Sequence, residues 1–306
     1  MNAKYKGQVE LLLTVLPVIA REKIFALKGG TAINLFVRDM PRLSVDIDLT
    51  YVVLDDDRPT ALDNISRALN RVEADIKNAV PGISITRVPE GQGDDVKLNC
   101  QAGLAHIKIE VNTSTRGILF PVRELVVSDS VQSEFKKFAA INVVSHPELY
   151  GGKICAALDR QHPRDLFDMH VFFLSESITE EITQGVILFL LSHARPMHEL
   201  LMPHFLDQRE AFEHQFAGMT SIPFTYEDFE TARQRLVTEI HKSLTPDDKK
   251  FLLSFNLGKP QWALFPLKDA QHLPAIKWKL LNLAKLKEKN PDKHAAMHRE
   301  LVKVLS

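Results

Sequence analysis

Cysteine and tryptophan are scarce: the 306 residues hold two of each. Cys100 and Cys155 sit in apolar or small surroundings. They are too few for a disulfide scaffold or a zinc site and are expected as buried free thiols in a reducing compartment. Long apolar runs are missing too. Leu11-Leu12-Leu13 is broken by Pro17 and followed by Arg21, Glu22 and Lys23, which is not the pattern of a secretory leader. Val186 to Leu191, the longest later run, is far too short to span a bilayer. No internal repeat or low-complexity tract stands out. These absences predict a soluble cytoplasmic protein with no membrane partner.

What is present is ordinary in total and uneven in distribution. Hydrophobic residues at 45% and charged residues at 25% fit a globular protein. A chain of 306 residues is long for one core and suits two domains. Net charge is −1, yet residues 231–306 carry 15 Lys or Arg against 7 Asp or Glu, leaving 23 against 32 elsewhere. A basic tail beside an acidic front suits an enzyme acting on a polyanion; a lysine-rich solvated helical surface gives the same count.

The most informative stretch is Leu27-Lys28-Gly29-Gly30-Thr31-Ala32, followed by Arg42-Leu43-Ser44-Val45-Asp46-Ile47-Asp48-Leu49. It predicts a glycine turn opening a short helix, then a strand bearing two carboxylates. Backbone N–H groups at Gly29, Gly30 and Thr31 can hold the phosphates of a nucleotide. Asp46 and Asp48 share one strand face, about 7 Å apart, and can hold divalent ions while Val45, Ile47 and Leu49 enter the core. Hard oxygen ligands beside a phosphate cradle are what metal-dependent nucleotidyl transfer needs. Either half alone is commonplace; the ordered combination carries the reading.

Residues 5–20 read as a first helix, Ile24 to Lys28 as a buried strand, and Val45 to Leu54 as the aspartate strand. Leu62, Ile65, Leu69, Val72 and Ile76 form a helical stripe that Pro81-Gly82 stops. Short strands follow at Ile83 to Val88, Val96 to Cys100 and His106 to Val111, separated by Gly91-Gln92-Gly93-Asp94 and Gln101-Ala102-Gly103. In the last of them Glu110 joins the polar face, a third carboxylate able to complete a metal site with Asp46 and Asp48. The chain is therefore read as α+β. A catalytic domain over residues 1–125 has a mixed sheet flanked by helices, and a mainly helical domain covers residues 126–306.

Ser145-His146-Pro147-Glu148 is a capping box that opens a helix reaching about Arg160, and a second helix starts at Asp165. Lys153 and Arg160, seven apart, project from one face. Two cations facing a triphosphate would neutralise a leaving pyrophosphate, and Asp165 could orient either cation or act as a base. Asp168 follows one turn after Asp165, and the competing reading is an intramolecular ion-pair network that pins the two helices. Gly151-Gly152 admits either a close backbone approach to a ligand or a loosened helix turn. His193, His198, His204 and the pair His294/His298 lack partners for a metal site and are expected on the surface. Trp262 and Trp278, among basic residues, could stack on bases, although helix packing is the commoner use.

The chain resembles the AbiEii/AbiGii nucleotidyltransferase-like toxins of the DNA polymerase β-like superfamily. The resemblance rests on Lys28-Gly29-Gly30-Thr31-Ala32 and Arg42-Leu43-Ser44-x-Asp46-Ile47-Asp48-Leu49. It rests most specifically on Leu149-Tyr150-x-x-Lys153-x-x-Ala156-x-x-x-Arg160-x-x-x-Arg164-Asp165-x-x-Asp168. It covers most of residues 1–175 well and the helical remainder only in character. The 14 residues between Thr31 and Asp46 slightly exceed the usual spacing and imply a longer loop at Arg38 to Arg42. The resemblance implies the toxin of a toxin–antitoxin or phage-defence system, which moves a nucleoside monophosphate from an NTP to RNA, in characterised relatives the tRNA 3′ end. It implies Mg²⁺ or Mn²⁺ on Asp46, Asp48 and Glu110, and nucleotide binding by Gly29, Gly30, Thr31, Lys153 and Arg160. Asp46, Asp48, Lys153 and Asp165 would be catalytic, and a cognate antitoxin would be a partner. Two other readings stand beside it: the same transfer onto a small molecule or protein, and a nucleotide- or partner-binding module without turnover.

Overall fold

Ile47, Leu49, Ile107, Ile109 and Val111 alternate with polar neighbours and are buried, as are Phe25 and Leu27 on either side of the buried Ala26. They form the covered face of a seven-stranded sheet in the computed structural model, which describes residues 3–90 and 94–306 and the side chains of 5–88 and 96–306. The strands are β1 (Phe25–Lys28), β2 (Asp46–Tyr51), β3 (Ser84–Glu90), β4 (Asp94–Ala102), β5 (Ala105–Asn112), β6 (Arg123–Val126) and β7 (Ala140–Val143). Their order is β3-β4-β5-β2-β1-β7-β6. Pairs β2/β5 and β1/β7 are parallel and the others antiparallel, a mixed sheet. The turn expected at Gly91-Gln92-Gly93-Asp94 falls largely on residues 91–93, outside the described residues.

Helix α1 (Ala3–Ile19) packs on β5 and β7, and α3 (Arg58–Ala79) packs on β4. Between them α2 (Gly29–Ala32) runs on as a π-helical turn over Ile33–Val37. The stripe of α3 is buried at Ala61, Ile65, Ala68, Leu69, Val72 and Ile76, while Leu62 is only half-buried. The sheet continues past residue 125. Strands β6 and β7, with α4 (Asp129–Phe135) between them, join it through the parallel pairing of Leu27 with Val143. The first compact unit accordingly comprises Met1–Ser145, together with Phe216–Pro223.

The second unit comprises His146–Gln215 and Phe224–Ser306 and is helical. It contains α5 (His146–Arg160), α6 (Pro163–Ser175), α7 (Glu180–Ser192), α8 (Met197–Leu201), α9 (Arg209–Ala211), α10 (Tyr226–Ser243), α11 (Pro246–Asn256), α12 (Pro274–Lys289) and α13 (Pro291–Leu305). Thr225 and Thr245 cap α10 and α11 through reciprocal boxes with Asp228 and Asp248. Among the described residues no helix is long and apolar enough to cross a membrane. Cys100 and Cys155 are buried and free as expected, and burial pushes the Cys100 thiol up to about 12.

Helices α5 and α7 cross where both backbones lack a side chain. A Cβ on Gly151 would lie 2.4 Å from the Gly185 carbonyl carbon, and one on Gly185 would lie 2.1 Å from the Pro147 carbonyl oxygen. Gly151 thus serves a close crossing of two helices, a use different from the ligand approach and the loosened turn expected of it. Gly151→Ala should lower unfolding stability in urea by about 1–3 kcal/mol or more, because the clash is with backbone and cannot be relieved by a rotamer. Gly7→Ala on α1, where nothing lies within 4 Å of the new Cβ, should instead stabilise by about 0.5–1 kcal/mol.

Candidate functional site

Asp46 and Asp48 lie half-buried on the polar face of β2, while Ile47 and Leu49 fill the core. Val45 does not enter the core with them: it is half-exposed, because β2 begins only at Asp46 and Leu43 is the buried apolar residue before it. Strand β1 ends at Lys28, opposite Asp48, and the chain turns at Gly29 with φ +74°. A Cβ on Gly29 would lie 2.6 Å from Asp48 Oδ2, so the turn and the carboxylate are in contact. A Cβ on Gly30 would lie 2.9 Å from an Arg42 guanidinium nitrogen and 3.1 Å from Ser44 Oγ. The Thr31 hydroxyl donates to the Asp46 carbonyl and lies 3.0 Å from Ser44 Oγ, and Asn34 Nδ2 donates to the Gly30 carbonyl at 2.9 Å. Thr31 is fully buried; its side chain anchors the turn, leaving only its backbone to face a phosphate.

Residues 216–223 return to this end of the first unit. The Leu43 N–H donates to the Met219 carbonyl at 2.8 Å and the Thr220 hydroxyl to the Pro41 carbonyl at 2.8 Å. The expected loop at Arg38 to Arg42 is present and tied down as well: Asp39 accepts from the Ser130 N–H at 2.9 Å and from its hydroxyl at 2.6 Å. The approach to the aspartate strand is thus fixed from both sides.

Register places Lys28, Asp48, Glu110 and Lys97 in one row across β1, β2, β5 and β4, with Lys108 beside Asp46. Burial raises the Asp48 carboxyl above its ordinary value; Asp46 and Glu110 push the same way, and Lys28 and Lys108 oppose them. Burial lowers Lys28 against the pull of Asp48 and Glu110. For Glu110 burial acts upward but is outweighed by Lys108, at 2.8 Å, and Lys97, at 3.5 Å, so the carboxyl is held low. Glu110 is therefore brought beside Asp48 as expected, but its charge is engaged by two lysines. Among the described residues no three His, Cys, Asp or Glu side chains are gathered as a metal cage. The residues that fit a hard divalent ion are Asp46 and Asp48, two oxygen donors whose repulsion a cation would relieve. Lys28, Lys97 and Lys108 went unassigned in the sequence, although Lys108 shares Glu110's polar face there.

In the second unit Lys153 is sealed between helices. Its ammonium lies 2.8 Å from Asp165 and 2.8 Å from Asp168, with side-chain exposures of 5%, 3% and 0%. Arg160, 62% exposed, reaches back to Asp165 at 2.6 and 3.0 Å. Burial alone would raise the Asp165 carboxyl, but Lys153 and Arg160 hold it well below the carboxylate range. A carboxylate so held, with both oxygens engaged, orients its cations and is a poor base. The ion-pair network expected as the competing reading is present. His294 departs from its expected surface position: it is buried and bonds the Asn256 carbonyl at 3.0 Å, and His298 bonds the Asn256 side chain at 3.1 Å. Trp262 packs against Phe251, ring centroids 5.4 Å apart; Trp278 is exposed.

A family profile described as nucleotidyl transferase AbiEii toxin, type IV toxin–antitoxin system, matches residues 10–280. The fold is similar to that of MenT4, the nucleotidyltransferase toxin Rv2826c of Mycobacterium tuberculosis H37Rv. The TM-score is 0.60 at 15% identity, over 92% of this chain and 95% of that one. At that identity the likeness is one of fold. No curated protein matches the sequence.

Two outcomes check these electrostatics. Asp46→Asn should move the Asp48 titration to lower pH and Lys28→Met should move it higher, read from the Asp48 carboxyl ¹³C shift in metal-free protein; equal midpoints would show that the groups do not sense one another. Lys153→Met should cost about 3–5 kcal/mol at neutral pH by stranding buried carboxylates. Asp165's folded pKa is depressed, so its contribution to the unaltered protein is present above an unfolded value of about 3.9 and lost as pH falls below it. In the variant, acid protonates stranded carboxylates instead, so its deficit in urea unfolding should narrow on acidification.

Proposed function

Because the chain belongs to the AbiEii family of nucleotidyl transferase toxins, we propose that it moves a nucleoside monophosphate from an NTP onto RNA, with a tRNA 3′ end as the acceptor. The observation that carries this reading is the contact of Asp48 with Gly29: carboxylate pair and glycine turn form one surface. Asp46 and Asp48 would hold Mg²⁺ or Mn²⁺, which when bound supplies charge neutralisation on the triphosphate and activation of its α-phosphorus. Backbone N–H groups at Gly29 and Gly30 offer donors to the β- and γ-phosphates. Thr31, Arg42 and Ser44 keep that turn from shifting.

Lys28 and Lys108 keep the acidic row from repelling a polyanion, and Glu110 fixes Lys108 and Lys97 in place. Lys153, Arg160 and Asp165 enter the proposal as a cationic group, with Asp165 as the orienting residue. Their part in transfer is separable from their part in stability: Lys153→Arg keeps a cation between Asp165 and Asp168, so activity lost with the fold retained would mark Lys153 as more than a helix pin. A type IV toxin also has a cognate antitoxin as its counterpart.

Purified protein incubated with total RNA, each labelled NTP and Mg²⁺ should label RNA with one NTP preferred, and chelation should stop it. Asp46→Asn and Asp48→Asn should each cut the rate a hundredfold or more with thermal unfolding still cooperative. Label on a small molecule or protein instead of RNA would overturn the acceptor. Undiminished labelling by either variant would overturn the site.

A further inference from the structure

Helix α12 turns only Ile276 and Leu283 fully inward, one stripe seven residues long. Lys279 points the same way. Its ammonium donates to three successive carbonyls just beyond α7, His193 at 2.6 Å, Ala194 at 3.2 Å and Arg195 at 2.9 Å. This cap fixes the helix's rotation and withdraws one lysine of the basic tail from solvent. The opposite face then carries Trp278, Leu281, Lys285 and Lys289, spaced three to four apart along one ridge, with Lys277 on its flank. Trp278 is 60% exposed and Leu281 54% exposed, and the Lys285 ammonium sits 5.6 Å from the Trp278 ring centroid. Trp262, by contrast, is spent on packing against Phe251.

We propose that this ridge of α12 binds a single-stranded segment of the RNA acceptor, with one base stacked on the Trp278 indole and phosphates along Lys277, Lys285 and Lys289. The inference rests on the RNA reading above and names the surface that reading lacks. Charge decides the occupant. Glu288 is the one acid on a helix whose exposed positions include Lys277, Lys285, Lys287 and Lys289, and an aromatic face among lysines is the usual platform for a strand of nucleic acid. A protein partner would need an apolar centre poor in lysine and about 800 Å² from each side; two apolar side chains ringed by ammonium groups do not supply it.

The test measures binding of a fluorescein-labelled single-stranded oligoribonucleotide to the full chain by anisotropy, across a salt series. Trp278→Ala should weaken affinity about tenfold, the order expected for one lost base stack, while Trp278→Phe should retain most of it. Lys285→Glu should weaken binding and lower the log–log salt slope by roughly 0.7, one phosphate contact on a single strand. Charge reversal at Lys23, an exposed lysine of the first unit, should change neither. Asp48→Asn should bind like the unaltered protein while failing to transfer, which separates this inference from the proposed reaction. Binding through Trp278 with no RNA labelled would leave the ridge standing and remove the reaction. Labelled RNA with Trp278→Ala and Lys285→Glu binding normally would remove the ridge alone. No binding by the unaltered protein, or a dimer that Trp278→Ala dissociates in sedimentation, would also overturn it.

Discussion

Asp48 Oδ2 occupies the place where a side chain on residue 29 would begin, 2.6 Å from a Cβ built there, and the φ of +74° excludes an ordinary side chain a second time. Much of this end of the sheet depends on that contact. Strand β1 can deliver the chain to the turn only because its antiparallel register sets Lys28 opposite Asp48. Helix α2 can start there only because Gly29 turns without a Cβ. Thr31 then ties the turn to the Asp46 carbonyl, and Arg42 and Ser44 fill the space beneath Gly30. The two glycines, the threonine, the Arg-x-Ser pair and the aspartates are separate in sequence but are sides of one packed object. Moving any of them moves the carboxylate pair.

The second unit solves a different problem with charge. Three titratable side chains, Lys153, Asp165 and Asp168, are buried together, an arrangement in which desolvation rivals attraction. It persists because α5 and α6 bring one ammonium within 2.8 Å of two carboxylates. Each buried charge then has a partner, and Arg160 closes the network from the solvent side. On the other flank of α5 the Gly151–Gly185 crossing lets α7 approach to backbone contact. A helix held by ion pairs on one side and by absent side chains on the other has little freedom to shift along its axis.

The parts of this arrangement governed by local rules were legible from the sequence. Period-two alternation placed Asp46 and Asp48 on one face, and glycine chemistry placed the turn. Elements defined by distant partners were not. Strand β7 has four residues and joins the sheet through a pairing of Leu27 with Val143, more than a hundred positions apart, and the equally short β6 pairs with β7 at the sheet's edge. The return of residues 216–223 to Pro41 and Leu43 has no local signature either. Lys28 could be recognised as Asp48's neighbour only from the register. His294 is a different kind of miss, since a signal existed: it shares a stripe with Leu301 and Leu305, the other buried residues of α13, and a histidine on a buried stripe packs and bonds inward. Lys279 repeats the lesson between Ile276 and Leu283. Counting it among the tail's available charges overstated the basic surface by one.

Charge at the aspartate strand ends in a balance. Asp46, Asp48 and Glu110 contribute three carboxylates, and Lys28, Lys97 and Lys108 contribute three ammonium groups placed beside them by register. The row as a whole is therefore close to neutral, although its members are not interchangeable. Glu110 is held low by its lysines, whereas Asp48 is held high because burial and Asp46 outweigh the pull of Lys28 and Lys108. The carboxylate held high is thus Asp48, the one the glycine turn abuts, and in the proposed reaction the lysines would limit repulsion of an approaching polyanion. In the proposed reaction a divalent ion would relieve the mutual repulsion of Asp46 and Asp48, and a nucleoside triphosphate arriving with that ion would meet a row carrying no excess of negative charge.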